Sequence, residues 1–107
     1  MNDSKNIDAI VVGAGIAGLY AVYRLRELGL EVQAFDAATD VGGTWYWNCY
    51  PGARVDSQSY VYQYWFSDEL LKEWDWSERF PAQPETENYL RHVADKFSLR
   101  KHYKFET

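Results

Sequence analysis

Three glycines, Gly13, Gly15 and Gly18, followed by the acid Asp36, have the spacing of a dinucleotide grip. Gly13 permits a tight turn, and Gly15 lets backbone approach a pyrophosphate with no side chain between them. Gly18 lets a helix lie close on a sheet. The amides of Ile16 and Ala17 then open a helix whose unpaired N–H groups and partial positive charge suit phosphate oxygens. Asp36 stands 18 residues after Gly18, where a carboxylate accepts hydrogen bonds from the adenosine ribose hydroxyls. The plain alternative is an aspartate that merely starts a turn. A negative charge here repels a 2′-phosphate, so the site suits FAD or NAD rather than NADP. Between those two the motif alone does not choose.

The elements that must hold these residues are legible in the apolar pattern. Ile7–Val12 reads as a strand buried on both faces of a parallel sheet. Gly18, Ala21, Val22, Leu25 and Leu28 fall on one helical face, and Gly29 supplies a left-handed cap. Leu30–Asp36 alternates as a second strand, completing a right-handed βαβ unit. Ser67 is placed to cap a short helix with Asp68 and Glu69 in its first turn. A further helix starts near Pro84, with Glu85 and Glu87 early and Leu90, Val93, Ala94 and Phe97 on one face. Met1–Asn6 is polar and expected to fray. The fold class is therefore α/β, a Rossmann-like dinucleotide-binding domain.

Beyond Asp40 the character changes. Of 19 aromatic residues, 12 lie between Trp45 and Phe80, too dense for a solvated linker and expected to pack on a larger body or a flat ligand. Within this region runs Gly42-Gly43-Thr44-Trp45-Tyr46-Trp47-Asn48-Cys49-Tyr50-Pro51-Gly52-Ala53-Arg54-Val55-Asp56. This segment, with the glycine motif before it, resembles the N-terminal FAD-binding segment of the Baeyer–Villiger monooxygenases. The likeness continues through Tyr60–Phe66 and the Leu70–Phe80 stretch to the helix ending near Phe97, and is strongest toward enzymes acting on cyclic and steroid-type ketones.

The resemblance implies an enzyme that uses NADPH and O₂ to insert one oxygen beside a ketone carbonyl, through a peroxyflavin, giving an ester or lactone. It implies that Gly43, Thr44, Trp45, Tyr46, Trp47 and Tyr62 line FAD. Asp56 would touch flavin near the nicotinamide cofactor as a helper, with Arg54 and Val55 beside it. Core packing is the plain alternative for each aromatic, and a surface ion pair for Arg54 and Asp56. Cys49 departs from the family, which usually carries Arg here; the exchange removes a permanent cation and a multidentate donor. A structural thiol is the reading for Cys49, because no His stands near it in sequence. Neither His92 nor His102 has metal-ligand spacing, so no metal is expected.

A net charge of −5 and a pI near 4.9 argue against binding nucleic acid or an anionic membrane. One cysteine excludes an internal disulfide and fits a reducing, cytoplasmic setting. Asp8 and the glycines interrupt Ile7–Leu25 too often for a membrane span. His102–Thr107 reads as a strand with no turn or cap after it. Residues 1–107 are accordingly expected to be the N-terminal part of an FAD-binding domain, with the NADP-binding domain and an active-site arginine supplied by the rest of the parent polypeptide. No catalytic residue is assigned to the chain itself, which should not turn over substrate alone. Two other readings stay open: an N- or S-oxygenating flavin monooxygenase, against which the Trp45-Tyr46-Trp47 cluster argues, and a non-catalytic module that senses FAD or NAD.

Overall fold

Ala9–Val12, with three consecutive β-branched residues, form strand β1, and the glycine-rich turn that follows leads directly into helix α1, Ile16–Glu27. The computed structural model describes residues 6–59 and 61–107; all but Asn6 of the stretch Met1–Asn6 expected to fray, and Tyr60 of the Tyr60–Phe66 likeness, lie outside them. Gly29 ends α1 at φ +86°, as its position predicts, and the chain returns as β2, Val32–Asp36. A short helix α2, Thr44–Trp47, lies in the aromatic segment, followed by α3, Asp68–Glu73, and α4, Gln83–Lys96. A 3₁₀ turn at Arg100–His102 feeds the last strand, β3, Tyr103–Phe105.

The sheet is parallel throughout, in the order β1-β2-β3. Its register pairs Val11 with Ala34, and Ala34 with Tyr103. That face is buried: Val11, Ala34 and Tyr103 meet Leu19 and Val22 of α1 and Leu90 and Val93 of α4 in one core. The opposite face is not. Ile10 and Val12 are 66% and 83% exposed, which corrects the expectation that β1 is buried on both sides. The physical reason is topological, because α1 and α4 both contribute to the core on the Val11 face and no other described helix reaches Val12.

Smaller corrections follow from packing. Leu19, not anticipated on the inner face of α1, is fully buried, whereas Leu28 is exposed at the helix C-cap. Ser67 caps α3 as expected, its Oγ accepting the Leu70 N–H at 3.2 Å. Glu87 stands early in α4, as expected, but is buried, and Thr86 and Tyr89 share the buried face with Leu90 and Val93.

Many of the aromatics satisfy one another rather than awaiting a larger body. Tyr23, Phe66 and Phe97 form one cluster at centroid separations of 4.4–5.3 Å. Trp74, Trp76 and Tyr89 form a second, at 4.9–5.8 Å. Trp47, Tyr50 and Trp65 keep about three-fifths of their surface open.

Candidate functional site

The turn after β1 is fastened from four sides. Gly13, at φ +114°, donates its N–H to the Phe35 carbonyl at 2.8 Å and accepts the Tyr103 hydroxyl at 2.7 Å. Ala14 donates to Asp36 Oδ2 at 2.7 Å, and its carbonyl accepts the Gly42 N–H at 3.0 Å. Slightly further on, the Tyr64 hydroxyl donates to the Ile16 carbonyl. Burial pushes the hydroxyls of Tyr64 and Tyr103 well above the ordinary tyrosine range, so both stay protonated donors. Neither tyrosine was singled out from the sequence, since their partners are carbonyls 48 and 90 residues away.

The glycines do what their spacing requires. A Cβ on Gly18 would lie 2.7 Å from the Gly13 carbonyl carbon and closer still to its oxygen, so only glycine lets α1 start this near the turn. A Cβ on Gly43 would lie 2.7 Å from Gly15 Cα. The two glycine motifs, far apart in sequence, therefore touch backbone to backbone. Gly15 caps α1 with no side chain, and no acid sits in the first turn, so the leading amides of Ile16 and Ala17 have no carboxylate or hydroxyl cap of their own. A cradle free of Cβ atoms beside an uncapped helix N-terminus fits a dinucleotide pyrophosphate.

Asp36 closes β2 with both oxygens engaged: Oδ2 by Ala14 and Oδ1 by the Ala38 N–H at 2.8 Å. The carboxylate thus ties β2 to the glycine turn, and each oxygen retains a second lone pair for an outside donor. The turn role and the ribose role are compatible at this residue.

α2 begins at Gly43, beside the cradle, and its side chains divide. Trp45 is buried, with its indole N–H on Tyr62 Oη at 2.9 Å and the two rings edge to face. Tyr46 is half-buried, its hydroxyl bonded to Thr39. Thr44 and Trp47 face outward. Core packing thus accounts for the Trp45 side chain, while Thr44 and Trp47 are free to meet a ligand.

The second half of the motif is held by an isolated antiparallel bridge between Arg54 and Ala82 at the start of α4. Val55 is buried and donates its N–H to Pro81 O at 3.0 Å. Arg54 pairs not with Asp56 but with Glu78, at 2.8 Å, and also donates to Phe80 O. Asp56 and Cys49 are exposed. A groove of about 410 Å³ runs along α1 from Ile16 and Ala17 past Tyr20 to Trp65 and Phe66, so it meets the cradle at its near end. Among the described residues, no group of three His, Cys, Asp or Glu could hold a metal ion, and no helix is long and apolar enough to cross a membrane.

An ionic cluster missed by the sequence reading anchors the loop before Gly42. Asp40 meets Arg100 at 2.9 Å and Arg91 at 3.4 Å, and Arg91 meets Glu87 at 3.0 Å. Burial pushes the Asp40 carboxyl up, but hydrogen bonds from Arg100 and the Val41 N–H, with the charges of both arginines, outweigh it and hold the carboxyl below the usual aspartate range. A carboxyl lowered on folding contributes stability above its unfolded value, lost as pH falls through its folded one. Asp40→Asn is therefore expected to cost about 1–3 kcal/mol at pH 7. In urea unfolding the difference from wild type should shrink as pH falls from 7 to below the usual aspartate value and on through the lowered one. A constant difference across that range would contradict the assignment.

Comparison with known proteins agrees with this geometry. A family profile described as an NAD(P)-binding Rossmann-like domain matches residues 11–73. The chain is 57% identical over 104 residues to an acetone monooxygenase (methyl acetate-forming) of a Gordonia species, covering 97% of this chain and 20% of the relative. It is 52% identical over 107 residues to a phenazine N-monooxygenase of Lysobacter antibioticus, covering 99% and 20%. It is 54% identical over 103 residues to a Baeyer–Villiger monooxygenase of Pseudooceanicola batsensis, covering 95% and 19%. A crystal structure of OTEMO in complex with FAD and NADP superposes with a TM-score of 0.90 at 46% identity, over 98% of this chain and 20% of that one. The chain thus spans about a fifth of the length of these relatives. From the matched turn and sheet it follows that the chain belongs to the NAD(P)-binding Rossmann-like domain family, and within it is similar to the N-terminal portions of Baeyer–Villiger-type flavoprotein monooxygenases.

Proposed function

We propose that this chain is the N-terminal FAD-binding part of an NADPH- and O₂-dependent Baeyer–Villiger monooxygenase that converts ketones to esters or lactones. The observation that carries the reading is the contact of Gly43 with Gly15, which sets the aromatic helix α2 at the mouth of the dinucleotide cradle. FAD, once bound, supplies the oxygen chemistry. The chain's own residues bind and orient it. Gly13, Gly15 and Gly18 leave room for the pyrophosphate, and the Ile16 and Ala17 amides face it. Asp36 offers its remaining lone pairs to the ribose, and the charge it places there favours FAD over a 2′-phosphorylated cofactor at this site. Thr44 and Trp47 meet the ring system and exclude water from it, while Trp45, Tyr46, Tyr62 and Val55 hold that wall from the core side. Arg54 and Asp56 sit on the exposed rim, where NADPH approaches from the remainder of the parent polypeptide. The single cysteine favours a cytoplasmic setting.

A second reading has its own support: a relative named for N-oxygenation is nearly as similar as one named for a ketone, so overall similarity does not separate the two activities. The natural polypeptide carrying this sequence, loaded with FAD, distinguishes them. NADPH consumption quickened by acetone or cyclohexanone, with an ester or lactone formed, is the expected result. Quickening by phenazine, with an N-oxide as product, would favour the second reading. NADPH consumption that no substrate quickens would leave only a binding module.

A further inference from the structure

Among the described residues, Glu87 is the one carboxylate that the proposed function leaves unused and yet is buried beneath its cradle. The residue is 4% exposed, on the inner face of α4. Oε2 accepts Arg91 Nε at 3.0 Å, whereas Oε1 is buried with no hydrogen-bond partner. A buried carboxylate oxygen without a donor is costly, and such an atom calls for an explanation. Its neighbour supplies one. A Cβ built on Gly42 would lie 2.6 Å from Glu87 Cδ and 2.7 Å from Oε2, and nearer still to Oε1. The carboxylate therefore abuts the α-carbon of Gly42, which sits at φ +135° and donates its N–H to Ala14 O at 3.0 Å. The next residue is Gly43, pressed on Gly15.

We propose that Glu87 is a positioning residue, the shelf on which Gly42 rests, and that it fixes Gly42–Gly43 against Gly15 and so sets the cofactor cradle. Arg91 holds the shelf in place, and Asp40 shares Arg91 with it, so α4 and the loop at residues 40–43 are joined by one set of contacts. What matters is the reach of the carboxyl group rather than its charge. The inference rests on the FAD reading for its effect on binding, but not for its effect on the loop.

Two variants separate reach from charge in the natural polypeptide. Glu87→Gln keeps the length and loses the charge; Glu87→Asp keeps the charge and withdraws the group by one methylene. Hydrogen exchange of the amides at 41–45, measured without FAD, should rise about ten-fold in Glu87→Asp and stay within about three-fold of wild type in Glu87→Gln. FAD affinity by equilibrium titration should follow the same order, with Glu87→Asp weaker by about ten-fold. Gly42→Ala should also weaken binding, and adding Glu87→Asp to it should cost less than the sum of the two, because the second change makes room for the new methyl. Unchanged exchange in Glu87→Asp, equal effects of Asp and Gln, or strict additivity with Gly42→Ala would overturn the proposal. Should wild type take up no FAD, the cofactor reading falls, and the exchange measurement still decides whether Glu87 holds the loop.

Discussion

Gly18→Ala is expected to cost about 3 kcal/mol or more in urea unfolding, the larger of two glycine effects in the same turn. The added methyl would sit 2.7 Å from the Gly13 carbonyl carbon, so backbone must yield to backbone, and neither is the free end of a flexible side chain. The helix can escape only by lifting from the turn. That movement would draw Gly13 O away from the Tyr103 hydroxyl and the Ile16 carbonyl away from Tyr64. Gly13→Ala provides the contrast. No atom lies within 4 Å of the position its Cβ would take, so only the backbone strain of φ +114° opposes it, worth about 1–3 kcal/mol. Equal effects at the two positions would mean that α1 does not pack on the turn as described.

Tyr89→Ala is expected to cost about 3–5 kcal/mol by the same measurement, a large share of the stability of a small domain. The ring is 1% exposed and meets Trp76 at 4.9 Å and Trp74 at 5.3 Å between centroids. Its hydroxyl oxygen accepts the Tyr64 N–H at 2.9 Å, and burial pushes its pKa up to about 12. Tyr64 in turn donates to the Ile16 carbonyl, so a cavity at Tyr89 loosens the support of the cradle as well as the core. Tyr89→Phe keeps the ring and removes only the acceptor, for an expected loss of about 1–3 kcal/mol. If Ala and Phe proved equal, the hydrogen bond rather than the packing would dominate.

Glycine spacing and apolar period make the βαβ unit legible in the sequence, because both follow from local rules. The same rules located α4 from Pro84 onward and the cap at Ser67. They failed where the deciding contact is remote in sequence. A two-faced apolar strand such as Ile10–Val12 reads as buried on both sides whether or not the described chain covers it. Glu87 carries the charge expected early in a helix, and nothing local announces that residue 87 will face Gly42. The anchors at Tyr64 and Tyr103 were invisible for the same reason. Trp45 and Trp47 illustrate the limit within the motif itself: they are two residues apart, and α2 sends one into the core and leaves the other open.

Equilibrium titration of the flavin-free natural polypeptide with FAD, followed by visible absorbance, bears most directly on the central claim that the two glycine motifs together cradle that cofactor. Saturation at one FAD per chain, with NAD unable to displace it, is the expected result. A polypeptide that is colourless once unbound FAD has been removed, and yet binds NAD, would contradict it.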